Sequence, residues 1–519
     1  MSGSDLLLPD RMTVELVTDV LAGALPIEDG VQCERERTYY DTFDGLLRGA
    51  GLSLLYQDGR LSLVEREGGL VRVSLTTARP GKPWFAADLE PSSLRDALHD
   101  LTEVRALLPL VEIHARERLM SVLDSEQKTV VRLSLEQAAA VESTRSVTAL
   151  RPRLRLTGVR GYEKARRRVQ AALVDDLGFK PADEPLVDEA VRVTGGVPGG
   201  FPSKVEVPLR FEQRADSAAA AVLHKHLEVI AANPEGTIAD IDSEFLHDFR
   251  VSVRRSRAVQ RELKGVFAPG ELAHFRTEFR WLQLQTGDAR DLDVHVLEFD
   301  SMRALVSGRG LESMRDDLDP LLKVLRARRV QARRRMVTAL RSERATKLLS
   351  AWREFLDGLE ASDAAERPDG ARPIGAVAGE RIRKVYRQMV RMGSAIDESS
   401  PAEDYHELRK KGKELRYLLE LFGVQLYPAD VVKPMIKTLK GLQDVLGRHQ
   451  DREVQVALLQ SLGPEVAKAG SAEPALMAIG AVIAHLADDG RAARSEFAGS
   501  FADFAAKEQR RLVKETFAR

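Results

Sequence analysis

The chain has 519 residues, of which 44% are hydrophobic and 5% aromatic, and its 78 Lys and Arg residues nearly balance 79 Asp and Glu residues. A chain of this length is expected to form roughly two to four domains, each with its own core. The formal net charge of −1 indicates no class of partner. Any preference for an anion must therefore come from how the charges are distributed along the chain.

The single cysteine, Cys33, excludes disulfides within the chain and any metal site built from cysteines. The first twelve residues lack the basic and apolar regions of a signal peptide. No stretch of about 18 consecutive apolar residues occurs, so we expect no transmembrane helix and no membrane partner. These features predict a cytoplasmic protein.

Residues 10–192 combine alternating apolar and polar segments, typical of strands, with shorter helical segments. Turn residues at Asp58-Gly59 and Gly68-Gly69 separate three of the strands. This pattern predicts an α+β domain with an antiparallel, barrel-like or tunnel-like sheet. The predicted strands include residues 52–56, 60–64, 71–75, 130–135 and 153–156, and the predicted helices are 93–107 and 162–177.

A Gly/Pro-rich segment at residues 193–204 shows no periodicity and predicts a linker. From 205 to 519 apolar residues recur every three or four positions, which predicts an all-α domain. Within it we expect one helix over residues 321–349 and a helix break at Gly463-Pro464.

One helical segment carries an unusual basic face. His247, Arg250, Arg254 and Arg257 stand at offsets 0, +3, +7 and +10, so they fall within an arc of about 80° on a helix. Like charges at these spacings repel each other. A counter-anion would relieve that repulsion, so the face is a candidate anion site.

The same face occurs a second time. His406, Arg409, Lys413 and Arg416 have the same offsets, and the two histidines are 159 positions apart. Leu282-Gln283, Gly287 and Asp291 recur as Leu442-Gln443, Gly447 and Asp451. This agreement in register predicts an internal duplication, approximately 205–360 and 374–519, and hence two pseudo-symmetric helical bundles.

Further basic faces occur on other helices of both repeats, and arginine forks bind phosphate oxygens in pairs. A solvated surface is the alternative explanation for any one of these helices. A metal site at His247-Asp248 is a further alternative, but the arginines on that face oppose a cation and Glu407 replaces the aspartate in the second repeat, so we expect no metal and no cofactor. The candidate anion-binding residues are His247, Arg250, Arg254, Arg255, Arg257, Arg326, Arg329, Arg333, Arg381, Lys384, His406, Arg409, Lys410, Lys413 and Arg416.

The two histidine helices, together with the segment from Gly287 to Val294, resemble the CHAD domain, the conserved-histidine α-helical domain. The resemblance covers most of residues 205–519. The family's G-x-x-R-D-x-D element is intact in the first repeat, whereas Gln450 replaces its arginine in the second. The resemblance implies two helical bundles with a basic surface that binds inorganic polyphosphate.

The N-terminal domain resembles the CYTH, or triphosphate tunnel, domain through Tyr39-Tyr40-Asp41-Thr42-Phe43-Asp44 and the following Leu52-Ser53-Leu54. That family binds a divalent metal through Glu-x-Glu-x-Lys on its first strand, which we place here at residues 12–16. That segment has one acid and no lysine. Because Mg²⁺ needs several carboxylate oxygens, the sequence predicts a non-catalytic relative.

The sequence thus favours a polyphosphate-binding protein without catalytic residues, associated with polyphosphate granules. One alternative is a metal-dependent tri- or polyphosphatase that uses the N-terminal domain. The other is a nucleic-acid-binding helical module, which the shortage of aromatic residues on the basic helices disfavours, since single-strand binders stack bases on such residues. The aromatic residues there are chiefly Tyr386, Tyr405 and Tyr417.

Overall fold

The computed structural model of the chain describes residues 3–10, 12–81, 83–141, 146–307, 314–362, 365–397, 399–468 and 472–518. The chain forms two compact units, Met1–Pro202 and Ser203–Arg519. The boundary between them lies inside the Gly/Pro-rich segment 193–204. Among the described residues, no helix has the length and apolar character needed to cross a bilayer.

The first unit, here called the sheet unit, is built on one antiparallel sheet. Consecutive strands β2 to β5 include two hairpins with tight turns at Asp58-Gly59 and at residues 66–70, where glycines adopt positive φ angles. The strands are β1 (Gly3–Leu7), β2 (Ile27–Asp41), β3 (Leu52–Gln57), β4 (Arg60–Glu65), β5 (Val71–Thr76), β6 (Leu108–Leu123), β7 (Thr129–Val141), β8 (Val147–Ala149), β9 (Arg153–Gly158) and β10 (Lys180–Pro181).

The strand order in the sheet is β10-β1-β9-β7-β6-β2-β3-β4-β5, and β8 pairs with β7. The two outermost strands, β10 and β5, do not pair with each other in the part of the chain that the structure describes. The predicted α+β antiparallel domain is therefore confirmed. The sheet is open rather than closed into a barrel, so that part of the prediction holds only loosely.

Helices cover the sheet and bury its apolar residues in three clusters. Where the sequence predicted the first strand, at residues 12–16, a helix begins instead, and the first strand is β1. Val17 and Leu21 of this helix are buried one turn apart, so a helical rather than an alternating pattern governs the segment. The helices are α1 (Val14–Ala24), α2 (Leu46–Gly49), α3 (Ser93–Thr102), α4 (Glu163–Ala171) and α5 (Leu186–Val193).

The second unit, here called the helical unit, contains no strand among its described residues, as predicted. Its helices are α6 (Ala215–Ala232), α7 (Pro234–Ala239), α8 (Ser243–Glu262), α9 (Pro269–Gln285), α10 (Gly287–Leu297), α11 (Phe299–Ser307), α12 (Asp319–Leu340), α13 (Glu343–Asp357), α14 (Ile374–Gly393), α15 (Ala402–Leu418), α16 (Val424–Leu426), α17 (Ala429–Val466), α18 (Ala472–Phe504) and α19 (Lys507–Thr516).

Two details of the helical unit differ from the sequence prediction. The expected single helix over 321–349 is broken at Ser342, whose side chain caps α13 by accepting a hydrogen bond from the amide of Ala345 at 3.3 Å. Conversely, α17 continues through the expected break at Gly463-Pro464 to Val466. Burial of Leu462 and Val466 stabilises this last turn.

Two apolar cores support the helical unit. The larger core combines buried residues from Leu209 to Phe517 and includes both repeats. The smaller one joins α11 and the first half of α12 to the C-terminal end of α17 and the N-terminal half of α18. The two repeats therefore share their interior, and the polar faces of α8 and α15 are left at the surface between them.

Candidate functional site

The two histidine helices of the sequence analysis are α8 and α15, and they pack against each other. Asp242 fixes the start of α8, because its carboxylate accepts hydrogen bonds from the amides of Glu244 and Phe245 at 2.8 and 3.3 Å. Phe249 of α8 and Leu408 of α15 are buried in the larger core. With the apolar faces committed to that core, the basic faces of the two repeats come together.

In the first repeat, two arginines of α8 are held by the end of α9. Arg250 donates hydrogen bonds to the carbonyl oxygen of Gln283 at 3.0 Å and to the hydroxyl of Thr286 at 2.9 Å. Arg257 donates to the side-chain oxygen of Gln283. A Cβ placed on Gly287 would lie 3.7 Å from the guanidinium of Arg250, an ordinary van der Waals contact, so this glycine lies directly beside the arginine.

The second repeat has the same glutamine contact, but Arg409 has a different partner from Arg250. Arg416 donates to the side-chain oxygen of Gln443 at 3.1 Å, and Arg409 donates to Asp451 at 3.1 Å. A Cβ on Gly447 would lie 3.8 Å from the guanidinium of Arg409. The duplicated glutamine thus positions an arginine of the histidine helix in both repeats, and the duplicated glycine lies beside another.

The repeats differ at the position where Gln450 replaces Arg290. Arg290 donates to the carbonyl oxygen of Ser243 at 3.0 Å and to Glu244 at 3.2 Å, at the start of α8. Gln450 instead lies 2.9 Å from the Nδ1 atom of His406. The glutamine therefore fixes the imidazole ring of the second repeat, which explains how this repeat tolerates the loss of the arginine.

A cleft between α8, α9 and α15, here called the central cleft, has a volume of about 420 Å³. Six basic side chains line it against two carboxylates, and both carboxylates are already bonded to basic residues of α15, Glu407 to Lys410 and Glu414 to Lys411. The charged residues that line the cleft are Arg254, Arg257, Arg261, Lys410, Lys411, Lys413, Glu407 and Glu414.

A second cleft, here called the α17 cleft, has a volume of about 630 Å³ and lies mainly between α15 and α17. It shares Lys413 with the central cleft. Five basic side chains line it against three carboxylates. These charged residues are Arg409, Lys413, Arg416, Arg448, Arg452, Glu298, Asp444 and Asp451.

Lys413 shows how little the local charge is compensated. Burial, followed by the charges of Arg409 and of Arg254 from the other repeat, lowers the pKa of Lys413 to about 8, although Asp451 opposes the shift. Burial also lowers the pKa of Arg250, with Asp291 opposing the shift and Arg254 adding to it. Within this cluster the cations destabilise one another, so binding an anion would relieve the repulsion.

Several predicted residues lie outside the two clefts. Arg329 binds Asp240 at 2.8 Å and Asp293 at 2.5 Å, and Arg333 lies 3.1 Å from Asp240. These two arginines fasten α12 to its neighbours.

Two more predicted arginines have partners of this kind, since Arg255 binds Glu420 at 3.0 Å and Arg381 binds the buried Glu262 at 2.6 Å. Arg326 and Lys384 are exposed on other helices. His247 is half-buried on α8 and lines neither cleft. His406 is half-buried too and contacts Gln450.

Several residues that line these clefts are absent from the set of anion-binding residues predicted from the sequence. Gln283 and Gln443 were noticed only as marks of the duplication, although both bind arginines of the site. Their recurrence one position after a leucine, 36 positions after His247 and 37 after His406, was the available signal. Arg261, Lys411, Arg448 and Arg452 also line the clefts, and their spacing alone does not distinguish them from a solvated helix face.

The sheet unit also gathers arginines, but there they meet carboxylates. On one face of the sheet Arg37 bonds to both Glu117 and Glu136. Arg155 binds Asp5 at 2.7 Å, and Arg153 binds Glu189. Burial raises the pKa of Asp5, but the hydrogen bond from Arg155 and the charges of Arg155, Arg153 and Arg37 together outweigh burial and lower the pKa. This face is close to neutral.

One group of side chains in the described part of the sheet unit could hold a metal ion by proximity. Single ligand atoms of Glu36, Glu112 and His114 lie within 4.8 Å of one another on β2 and β6. Glu112 is already engaged by Arg79, whose hydrogen bond lowers the pKa of the carboxyl group, and it also contacts His114 at 3.2 Å. Arg79 would therefore compete with a metal ion for the carboxylate of Glu112.

Comparison with known proteins gives one family. The family model of the CHAD domain matches residues 221–460. No curated protein matches the chain.

Two similar solved structures are the CHAD domain from the plant Ricinus communis and PptA from Streptomyces chartreusis. The first has 24% identity and a TM-score of 0.46, and covers 57% of this chain and 95% of its own. The second has 17% identity and a TM-score of 0.41, and covers 56% and 99%. On the family match, the helical unit of this protein contains a CHAD domain at residues 221–460, as the sequence predicted.

Proposed function

We propose that the helical unit binds inorganic polyphosphate along the central cleft and the α17 cleft, and that the protein acts in the cytoplasm in association with polyphosphate granules. The observation that carries this proposal is the meeting of uncompensated cations from both repeats at Lys413. The residues of the predicted set that line the clefts are Arg254, Arg257, Arg409, Lys410, Lys413 and Arg416.

The mechanism of binding is electrostatic. A polyphosphate chain carries about one negative charge per phosphate, and its counterions are released when Lys and Arg side chains replace them, as for nucleic acids. Arg257 and Arg416, which line the clefts, are held by glutamines. Prior positioning reduces the conformational entropy that these side chains lose on binding.

The surroundings of the clefts favour a chain without bases over RNA or DNA. The tyrosines near the basic helices, Tyr386, Tyr405 and Tyr417, are only 2%, 3% and 4% exposed. Tyr386 and Tyr405 pack in the interior, and Tyr417 lines the central cleft but is too little exposed to offer an open ring face on which a base could stack. A phosphate chain needs no such platform.

A catalytic role for the sheet unit finds less support. Its first strand reads Gly3-Ser4-Asp5-Leu6-Leu7 and contains no glutamate. Its only acid, Asp5, is bonded to Arg155. The proposal therefore treats the sheet unit as non-catalytic, and release of phosphate in the presence of divalent metal would contradict this part.

The test is a gel-shift titration of the full chain with long-chain polyphosphate, comparing wild type with Arg254→Ala/Lys413→Ala. Each charge-assisted hydrogen bond contributes roughly 1.5–3 kcal/mol, so we expect the variant to lose on the order of 100-fold or more in affinity. Wild-type affinity should also fall steeply with salt. RNA is added as a competitor, and free phosphate is measured with and without a chelator.

The control is Arg341→Ala/Arg353→Ala, which removes the same charge from exposed positions that line neither cleft. It should bind like wild type. Equal losses in both variants would reduce the site to a diffuse positive surface and contradict the proposal. Displacement by RNA at matched phosphate concentration would favour the nucleic-acid alternative instead.

A further inference from the structure

A third basic cleft lies beside the central cleft in the first repeat. It has a volume of about 460 Å³ and runs between the end of α8 and the first half of α9, and we call it the α9 cleft. Four arginines line it, and its other lining side chains carry no charge. The arginines are Arg257, Arg261, Arg276 and Arg280.

The charges of the α9 cleft are poorly compensated. Arg276 and Arg280 are exposed and one helical turn apart, and among the described residues no carboxylate forms an ion pair with either. Burial, followed by the charges of Arg261, Arg280 and Arg276, lowers the pKa of Arg257. Of the four, Arg261 has carboxylate partners, namely Glu262 and Glu414.

The three clefts form a continuous series. Lys413 lines both the α17 cleft and the central cleft, and Arg257 and Arg261 line both the central cleft and the α9 cleft. From Arg254 to Arg261 the row of cations follows two turns of α8, about 10 Å. An extended anion could therefore contact all three clefts without crossing an uncharged surface.

The α9 cleft is not fully duplicated. At the repeat distance of 160 positions, Arg276 corresponds to Ile436 and Arg280 to Lys440. The basic residues on this part of α17 are Lys433, Lys437 and Lys440, all exposed, and none of them lines any of the three clefts. The basic surface therefore extends from the centre further along the first repeat by a route that the second repeat lacks.

We infer that the α9 cleft is an extension of the polyanion site, in which Arg276 and Arg280 bind the part of a long linear polyphosphate that has passed through the central cleft. This inference rests on the proposed function and sharpens it, because it assigns the site to long chains and gives the chain a route. A short anion occupies the cations around Lys413 and does not reach α9.

The test measures the affinities of tripolyphosphate and of a long-chain polyphosphate for Arg276→Ala/Arg280→Ala. The matched control is Lys437→Ala/Lys440→Ala, which removes the same charge from the corresponding helix of the second repeat. A plot of log affinity against log salt has a negative slope. Loss of two phosphate contacts should make this slope shallower by about 1.4 for the long chain. Affinity for the long chain should fall at least tenfold, and tripolyphosphate binding should stay at the wild-type value.

The outcomes separate this inference from the proposed function. If wild type binds long chains but the Arg276→Ala/Arg280→Ala variant binds them equally well, the extension is wrong and the central site stands. An equal loss in the Lys437→Ala/Lys440→Ala control, or an equal loss for tripolyphosphate, would also overturn the extension. If wild type binds neither anion, the proposed function fails, and this inference fails with it.

Discussion

Arginines gather in both units of this protein, but they are compensated differently. On the sheet, Arg37 contacts two glutamates, while Arg153 and Arg155 each contact a carboxylate. In the central cleft of the helical unit, six basic side chains face two carboxylates, and Lys413 lies among other cations. The number of arginines is therefore a poor guide to an anion site. What distinguishes the sheet from the central cleft is how many of the cations are matched by carboxylates.

The largest effect on the contrast between the paired arginines of the sheet and the cations of the clefts is expected for Arg37→Met in the sheet unit. Arg37 is 7% exposed, and its removal leaves the neighbouring Glu136 without its ion-pair partner and Glu117 with only Arg35, at 4.0 Å. Breaking a buried ion pair in this way should lower the free energy of unfolding by about 3–5 kcal/mol. Urea denaturation measures the loss, and polyphosphate binding by the folded variant should be unchanged. A loss below about 1 kcal/mol would show that the ion pairs of the sheet contribute little.

The uncompensated cluster predicts a dependence on pH. The pKa of Lys413 is lowered to about 8 in the folded protein, so this side chain is charged below pH 8 and becomes neutral above it. Affinity for polyphosphate should therefore fall about tenfold as the pH rises from 7 to 9, since one charge-assisted contact is lost. Titrations at both pH values measure the fall. In Lys413→Arg the side chain stays charged at both pH values, so most of the fall in affinity should disappear. A fall of the same size in that variant would exclude Lys413 as the titrating group.

The smallest effect is expected for the stability of the unliganded protein. Lys413→Met removes a charge that Arg409, Arg254 and Arg416 repel, so the free energy of unfolding at pH 7 should rise by about 1 kcal/mol. The matched control is Lys411→Met, because Lys411 is bonded to Glu414 at 2.6 Å and should give no such gain. Denaturation midpoints measure the change in stability of each variant relative to wild type. Destabilisation by both variants would contradict the contrast between compensated and uncompensated cations.

The sequence predicted the fold class and the residues at the centre of the site because both depend on local spacing. Offsets of 3, 7 and 10 positions place side chains on one helix face wherever the helix lies, and the duplicated Gln283 and Gln443 were visible as a repeat. The strand at residues 12–16 was misplaced because Val14-Glu15-Leu16 fits an alternating pattern as well as a helical one.

Contacts between distant segments could not be predicted in this way. Arg329 and Arg333 have the same spacing as Arg250 and Arg254, yet they bind Asp240, and Arg329 also binds Asp293, which come from segments 89 and 36 positions away. Arg276 and Arg280 were overlooked for the opposite reason, since a single pair one turn apart looks like any solvated helix face. Only the packing of α8 against α9 brings them beside Arg257 and Arg261.

The smaller core of the helical unit has a consequence for the order in which the protein can fold. It includes Leu325 of the first repeat and Leu459 of the second, which are 134 positions apart. A ribosome that adds about 5–20 residues per second makes the second part of this core between roughly 7 and 27 s after the first. During that interval Leu321 and Leu325 have no partner from α17 or α18, so the nascent first repeat exposes apolar surface that chaperones would be expected to bind.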